Sequence, residues 1–382
     1  MFNKRTLKGV LTAVLILSTF TACRGLDGSN ERQVIDKGDK KIVVLNPKET
    51  PVIDTEIKSS PSKQGITVGN MIVLKDVEAY DWRDEDTLMI RKKNYNAGEI
   101  SVEGEPMAPT NLYLLDISSR KEELIRGEGR NQGGASYSKD RKYIFYKSNI
   151  EESADGYIMD SNGDKSVGIT PEEGFIYSDE GRWIDNRHVI FKHYSSEGIN
   201  KIYLAGIDEN MKTTLTGLVE VNDIRASAID KVDDKLYYIE KGALKVKDLG
   251  TNNIKILAEN VRDIKVSPSK TQLAIIRDSE GEGNYLVVTD MEGVEKSMIA
   301  ENVGAVEWSP DEKKIVYSSS LDNIEKPGLF VTDLKSGETL QVSIDQFSKV
   351  IWSPLGKKIS ATRLVKETDD YNWQTMVVTL SE

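Results

Sequence analysis

The sequence predicts an all-β fold, a β-propeller of four-stranded blades, from three observations. A motif built on an aromatic anchor recurs along the chain, and a short strand ending in an acidic turn recurs in phase with it. No segment of useful length has helical periodicity. Seven anchors predict seven blades; six and eight are the alternatives, because two apolar runs near the N-terminus are ambiguous.

The anchor motif is clearest in WSPDEKKIVYSS, which starts at Trp308, and in WSPLGKKISATR, which starts at Trp352. Weaker copies start at Trp82, Tyr137, Trp183, Ile229 and Val266. The anchors are 37 to 55 residues apart, which is the period of four-stranded propeller blades. We expect the anchor aromatics to pack between blades, because large rings bury well between sheets. The frame also predicts an aliphatic residue six or seven positions after each anchor: Leu88, Ile144, Val189, Leu236, Leu273, Ile315 and Ile359.

The second landmark is a strand that ends at an aspartate. It is found at Asp116, Asp160, Asp248, Asp290 and Asp333, with a looser copy at Asp208. Each turn leads into a further β-rich run, so every repeat is expected to form four short strands joined by turns.

This pattern resembles the TolB-like, WD40-like family of β-propellers, whose blades carry W-S-P-D-G-K-K-I followed by L-Y-V-x-D-L. The resemblance covers about Lys41 to Glu382. It implies the propeller fold and, by fold analogy alone, a role in envelope organisation through protein contacts.

The last repeat ends after its third strand, TMVVTL. Its fourth strand is expected from Lys41–Leu45 or Val52–Ile57, the two apolar runs near the N-terminus. Such a strand would close the ring and leave no open sheet edge between its two ends.

Residues 1–22 are predicted to be a lipoprotein signal peptide. Three basic residues precede an apolar run from Val10 to Phe20, which is too short to span a bilayer. The segment Phe20-Thr21-Ala22-Cys23 resembles the bacterial lipobox, although Leu is usual where Phe20 stands. The resemblance implies cleavage before Cys23 and acylation of that cysteine, for example by palmitate.

The predicted domains after the signal are a lipidated cysteine with a flexible tether over 23–40 and the propeller over 41–382. The tether is polar and of mixed charge. Without residues 1–22 the chain has 48 basic and 62 acidic residues, a net charge of −14. We therefore expect acyl chains, rather than a basic patch, to hold an extracytoplasmic protein on the cell membrane, in an envelope of one or two membranes.

Composition excludes several classes of partner and chemistry. A net charge of −11 offers no basic excess for nucleic acid, and a single cysteine allows no internal disulfide and no Cys-rich metal site. The two histidines, His188 and His193, are expected to be structural or on the surface, and no nucleophile elbow, P-loop or zincin motif is present. The D-x-N-x-D spacing from Asp160 is interpreted as a hairpin turn rather than a calcium loop, because Lys165 and Pro171 stand where Gly and Glu are needed. No catalytic residue, metal or cofactor is predicted.

The connection between the second and third strands of each blade differs most in length among the repeats. It is a tight turn at Glu240-Lys241-Gly242 in repeat four, and we expect long loops in repeats one (Lys92 to about Thr110), six (Ser318–Gly328) and seven (Lys366–Asn372). These three blades are neighbours in a closed ring. The loops carry Tyr95, Tyr371 and Trp373, which are candidates for binding a protein or a sugar ring. The alternative is that the loops are tolerated insertions and that Trp373 packs at a strand start.

The sequence therefore predicts a lipid-anchored extracytoplasmic propeller that binds an envelope protein or polymer without catalysis. One alternative is a propeller enzyme of carbohydrate-active or lyase type, which would need several channel carboxylates with raised pKa values. Another is a small-ligand binding protein that uses the central channel.

Overall fold

The computed structural model describes the backbone of 33–37, 40–44 and 52–54 and the residues 66–381. Within the latter range it leaves out 103, 149–152, 172, 178–179, 196, 222–227, 320–326 and 368–369. The chain divides into Met1–Arg32, which lies outside the described residues, and Gln33–Glu382. The second unit is all-β and forms a seven-bladed propeller, so the predicted fold class and the predicted blade number are confirmed.

Four strands precede the first blade in the chain. They are β1 (Gln33–Lys37), β2 (Lys40–Val44), β3 (Val52–Asp54) and β4 (Thr67–Lys75). Strand β1 lies inside the segment 23–40, for which a flexible tether is expected.

Blades 1 to 3 follow in chain order. Blade 1 contains β5 (Glu78–Trp82), β6 (Thr87–Lys93), the small hairpin β7 (Ile100–Val102) and β8 (Glu105–Met107), β9 (Thr110–Asp116) and β10 (Glu122–Arg126). Blade 2 contains β11 (Gln132–Tyr137), β12 (Tyr143–Ser148), β13 (Asp155–Asp160) and β14 (Ser166–Gly168). Blade 3 contains β15 (Arg182–Trp183), β16 (His188–His193), β17 (Asn200–Ile207) and β18 (Thr213–Val221).

Blades 4 to 7 complete the ring. Blade 4 contains β19 (Ile229–Val232), β20 (Lys235–Glu240), β21 (Ala243–Asp248) and β22 (Ile254–Ala258). Blade 5 contains β23 (Val261–Val266), β24 (Gln272–Asp278), β25 (Asn284–Asp290) and β26 (Glu295–Glu301). Blade 6 contains β27 (Val303–Trp308), β28 (Lys314–Ser319), β29 (Leu329–Asp333) and β30 (Thr339–Ser343). Blade 7 contains β31 (Lys349–Trp352), β32 (Lys358–Glu367) and β33 (Asp370–Ser381), and β4 supplies its fourth strand.

Every blade is an antiparallel meander from an inner strand to an outer strand. Because the strands alternate in direction, connections between second and third strands and links to the next blade lie on one face of the disc. We call this the loop face. The turns between first and second strands and between third and fourth strands lie on the opposite face, the turn face.

The ring is closed by an N-terminal strand, as expected, but not by either of the two runs expected to supply it. Strand β4 pairs with β33, and its register includes Val73 opposite Met376 and Ile72 opposite Val377. The apolar runs near Lys41 and Val52 form β2 and β3, which continue the same sheet outward from β4. Strand β4 closes the ring because it contributes the buried side chains of Met71, Ile72 and Leu74 to the apolar cores on either side of blade 7.

The core of the described residues consists of seven apolar clusters, one between each pair of adjacent blades. Second strands contribute to two clusters at once, because successive side chains point to opposite faces of a sheet. In β6, for example, Leu88 and Ile90 face blade 7, whereas Met89 faces blade 2. All seven aliphatic residues predicted from the repeat frame are fully buried.

The structure confirms the repeat frame: the anchor tryptophans pair with the predicted aliphatic residues and contact the neighbouring blade. Trp308 pairs with Ile315 across the two inner strands of its blade, and Trp352 pairs with Ile359. The Trp308 Nε1–H donates to the Lys265 carbonyl oxygen at 3.0 Å, in the residue just before the anchor of blade 5. Trp183 and Trp352 make the same bond to the blade before their own, at 3.0 and 3.4 Å. At these three anchors the expected packing between blades is therefore accompanied by a directional inter-blade hydrogen bond, whereas the buried Nε1–H of the anchor Trp82 has no hydrogen-bond partner among the described residues.

Repeat four departs from the frame by two residues. Leu236 pairs with Lys231, not with the expected anchor Ile229. The turn of this hairpin is the two-residue Asp233-Asp234, whereas four or five residues separate the first and second strands of the other blades.

The predicted acidic turns are present, and each aspartate accepts hydrogen bonds from the turn that follows it. The Asp333 carboxylate accepts from the Ser336 N–H at 2.8 Å, and the Asp248 carboxylate accepts from the Thr251 N–H at 2.7 Å. The Asp160 carboxylate accepts from the Asp164 N–H at 2.9 Å, and Gly163 takes the positive φ of the turn. The interpretation of the Asp160 segment as a hairpin turn is thus confirmed.

Candidate functional site

Tyr95 projects from the loop face of blade 1 with 75% of its surface exposed. It lies in a turn after β6, and the base of that turn is fixed by a buried pair in which Asn94 Nδ2 donates to Asn111 Oδ1 at 2.8 Å. Asn111 Nδ2 in turn donates to the Arg130 carbonyl oxygen at 3.0 Å. The exposed ring therefore stands on an ordered base, and a partner would not have to order the turn on binding.

The expected long loop over Lys366–Asn372 in repeat seven is instead a β-hairpin. Strands β32 and β33 are 10 and 12 residues long and continue in register to the pair Glu367 and Asp370. Cross-strand pairs sustain the ladder beyond the body of the blade. They place Trp373 opposite Leu364 and Tyr371 opposite Lys366.

The hairpin separates the two aromatic residues that the sequence grouped together. Tyr371 is 62% exposed, and the Lys366 ammonium lies 5.9 Å from its ring centroid. Trp373 is half-buried on the strand, so its placement fits the alternative of packing at a strand start. Tyr95 and Tyr371 therefore remain the exposed aromatic residues of blades 1 and 7, which are neighbours in the ring.

Two other predicted connections can be located. The blade 4 connection is the tight turn expected at Glu240-Lys241-Gly242, with positive φ at Lys241 and Gly242. Most of the blade 6 connection, 320–326, lies outside the described residues.

Ion pairs connect inner-strand carboxylates to basic residues of neighbouring blades. Four inner-strand carboxylates each lie within 3.5 Å of a cation of an adjacent blade: Glu78 with Lys349, Asp81 with Arg141, Asp230 with Arg182 and Glu307 with Lys265. Such pairs help to fix the relative position of neighbouring blades.

A cluster of polar side chains lies at the loop-face end of the channel, where blades 7 and 1 meet. We call Glu78, Tyr80, Arg91 and Lys349 the channel cluster. Glu78 Oε1 lies 3.0 Å from Lys349 Nζ, and Glu78 Oε2 lies 2.8 Å from Arg91 Nη2. The Tyr80 hydroxyl donates to Glu78 Oε2 at 2.7 Å, and the Lys349 ammonium lies 3.9 Å from the Tyr80 ring centroid.

Local structure holds the channel cluster in place. The Ala79 N–H, between Glu78 and Tyr80, lies 3.3 Å from Thr362 Oγ1 and 3.2 Å from Thr375 Oγ1 of blade 7. These contacts fix β5 against the neighbouring blade, so the closing seam of the ring positions the cluster.

Burial and charge shift the pKa values within the cluster. Burial alone would raise the pKa of Glu78, but the Lys349 and Arg91 charges lower it below its ordinary value. Burial raises the pKa of Tyr80, so its hydroxyl stays protonated and donates to Glu78. Burial lowers the pKa of Lys349, and the Glu78 charge partly offsets that effect.

The lowered pKa of Glu78 predicts a pH dependence of stability. An ionised carboxylate whose folded-state pKa lies below its unfolded value stabilises the fold above about pH 4.3, and this stabilisation is lost as pH falls through the folded-state pKa. We expect Glu78→Gln to reduce the free energy of unfolding by about 1 to 3 kcal/mol at neutral pH. We expect the difference from wild type to shrink as the pH falls below about 4. Urea unfolding at a series of pH values tests this, and a difference that is constant with pH contradicts it.

The two histidines lie in different environments and do not form a pair. His188 Nδ1 lies 2.9 Å from the Asp185 carboxylate near the turn face. His193 is buried at the other end of β16, edge-on to Tyr203, and burial lowers its pKa. Among the residues that the structure describes, no group of three His, Cys, Asp or Glu side chains could hold a metal ion.

Cys23 and the predicted signal lie outside the described residues, so their lipidation stays a prediction. Within the described part of the chain, no helix is long and apolar enough to cross a membrane.

The channel cluster was missed at the sequence level, although the repeat frame contains a signal for it. Arg91 stands three residues after the predicted aliphatic Leu88, and Lys147 and Lys192 stand at the same offset in repeats two and three. All three are largely buried. A basic residue recurring at a buried position of the frame could have indicated a polar site under the loop face.

Comparisons with known proteins show the fold. No family model matches the chain, and no curated protein matches its sequence. An oligogalacturonate lyase in complex with manganese is 15% identical, covering 84% of this chain and 97% of the lyase, with a TM-score of 0.60. The β-propeller domain of Cps50 (Swd1) from Myceliophteria thermophila is 14% identical, covering 83% and 100%, with a TM-score of 0.53. TolB from Acinetobacter baumannii is 14% identical over 62% of this chain and 60% of TolB, with a TM-score of 0.46.

At these identities the similarities concern architecture, and the propeller that the TolB-like and WD40-like resemblance implies is confirmed.

Proposed function

We propose that this chain is a lipid-anchored, extracytoplasmic propeller that acts as a non-catalytic scaffold. It binds an envelope protein or polymer on its loop face. The observation that carries the proposal is the exposure of Tyr95 and Tyr371 on connections of neighbouring blades. Aromatic side chains that are exposed in the free protein and enriched at contact points favour a binding surface.

Binding is favoured over catalysis by the electrostatics of the channel. An acid–base enzyme built on channel carboxylates would need raised pKa values, so that one group can donate a proton. The pKa of Glu78 is lowered instead, and its carboxylate contacts two cations. Membrane attachment rests on the lipobox resemblance at Cys23. Palmitate labelling of wild type and of Cys23→Ala tests it: label that persists in the variant contradicts the anchor.

Crosslinking in whole cells followed by mass spectrometry tests the loop face. The variant carries Tyr95→Ala and Tyr371→Ala together, because both side chains are exposed and neither substitution opens a cavity. We expect the double variant to lose a partner that wild type captures. Trp373→Ala is examined separately, because this side chain is half-buried in the hairpin.

A matched control carries Val294→Ala and Leu355→Ala on the turn face, where the two side chains are 62% and 69% exposed. The control should capture the same partner as wild type. Identical captures by wild type, double variant and control contradict the loop-face site. Digestion of the captured material with protease or with glycan-degrading enzymes distinguishes a protein partner from a polymer.

A further inference from the structure

The channel cluster has an excess of positive charge in an acidic protein. Two cations, Arg91 and Lys349, contact one carboxylate, Glu78, and Tyr80 is neutral. With Arg91 and Lys349 both protonated and Glu78 ionised, the cluster has a net charge of about +1, whereas the whole chain has a net charge of −11. A local positive excess of this kind attracts an anion and stabilises it where water is partly excluded.

Both cations keep hydrogen-bonding capacity beyond Glu78. A guanidinium has five N–H donors, and in the described part of the chain the carboxylate contact of Arg91 is made through Nη2. The Lys349 ammonium has three donors and contacts Glu78 Oε1 and the Ala79 carbonyl oxygen, which lies 3.4 Å away. The Arg91 side chain is 15% exposed and that of Lys349 is 32% exposed, so Lys349 is the more accessible of the two cations.

We propose that the loop-face end of the channel is a carboxylate-binding site, in which Arg91 and Lys349 hold the carboxylate of a ligand beside Tyr80. The occupant is a carboxylate because one further negative charge balances two cations and Glu78. The geometry of the site already suits this group: the same two cations hold the Glu78 carboxylate, and a planar guanidinium matches a carboxylate better than a point charge does. The site is formed by blades 1 and 7, which also carry Tyr95 and Tyr371, but it does not depend on either residue.

Calorimetric titration with glucuronate tests the proposal, with glucose as the matched neutral sugar. Wild type should bind glucuronate and not glucose, and binding should weaken as salt is added. Lys349→Met and Arg91→Met should each weaken binding about tenfold or more, the effect of losing one charge-assisted hydrogen bond. Lys349→Arg should retain binding. Lys142→Met, on the turn face with a 67% exposed side chain, is the matched control and should change nothing.

Glu78→Gln distinguishes a ligand site from a structural ion pair. The substitution removes the internal competitor for both cations, so glucuronate should bind about tenfold more tightly if the site is real. Lower stability of Glu78→Gln is expected in either case, so a purely structural cluster is distinguished by the absence of any gain in affinity. Thermal unfolding of each variant confirms that it is folded.

Three results overturn the proposal. They are equal binding of glucose and glucuronate, unchanged affinity in both Lys349→Met and Arg91→Met, and absence of binding to wild type and to folded Glu78→Gln. The Tyr95→Ala and Tyr371→Ala variant should bind glucuronate as wild type does, so failure of the loop-face scaffold and failure of the channel site are separable.

Discussion

Replacing Trp308 with alanine is expected to lower the free energy of unfolding by about 3 to 5 kcal/mol. Trp308 is buried between blades 5 and 6, in a cluster that includes Leu286, Val306 and Ile315. Removing the indole leaves a cavity. The neighbouring strands cannot move to fill it, because backbone hydrogen bonds hold each of them within its own four-stranded sheet. It also leaves the Lys265 carbonyl oxygen without the Nε1–H that it accepts.

Two further variants separate these effects. Trp308→Phe keeps an aromatic ring and loses the hydrogen bond, so we expect a smaller loss of about 1 to 2 kcal/mol. Trp373→Ala makes the same chemical change at the tryptophan that is not an anchor, half-buried on the blade 7 hairpin. We expect it to cost less than half as much as Trp308→Ala. Urea unfolding measures all three, and equal losses at Trp308 and Trp373 contradict the assigned role of the anchors.

Removal of the chain up to Val77 is expected to abolish cooperative unfolding of the propeller. This truncation deletes β4, which pairs with β33 and buries Leu74 between blades 7 and 1. Its loss leaves β33 as an exposed edge and uncovers Val377 and Val378, a pattern that promotes association of sheets. The variant should aggregate or unfold over a broad range of temperature.

A shorter truncation, starting at Ile66, is the control. It removes β1, β2 and β3, which lie outward of β4 in the same sheet, and leaves the closing strand. We expect it to unfold in a single transition. Thermal unfolding followed by circular dichroism compares the two. Loss of cooperativity in the shorter truncation as well would show that the outward strands, and not β4 alone, close the ring.

Much of the fold could be predicted because each blade repeats the same short-range features, an anchor hairpin and an acidic turn. The anchor and the aliphatic residue after it pair across one hairpin, so Trp352 and Ile359 are recognisable without knowledge of distant residues. The acidic turns are also local, because the Asp333 carboxylate is satisfied within three residues.

The closing strand could not be identified by the same reasoning. Strand β4 contains Gly69 and Asn70, which interrupt its apolar pattern, whereas the runs in β2 and β3 are more continuous. The blade 7 hairpin was missed because Lys366 to Tyr371 is polar and is typical of a loop. Cross-strand pairing, such as that of Trp373 with Leu364, makes it a ladder.

The channel cluster could not be predicted from the sequence because its residues are far apart in the chain. Glu78 and Lys349 are 271 residues apart and meet only when the first blade closes against the last. Buried charge at Arg91 could be suspected from the repeat frame, but its partner is determined by ring closure. By contrast, the different lengths of the connections among the repeats did point to Tyr95 and Tyr371, and both side chains are exposed.

The most direct test of the scaffold proposal is the affinity of the purified, full-length protein for the partner that wild type captures. Dissociation constants are measured for wild type, for the Tyr95→Ala and Tyr371→Ala variant, and for the Val294→Ala and Leu355→Ala control. We expect the loop-face variant to bind at least tenfold more weakly and the turn-face control to bind as wild type does, because aromatic contacts at an interface centre contribute about 2 kcal/mol or more. Equal affinity of all three proteins, or a loss confined to the turn-face control, would contradict a binding surface on the loop face.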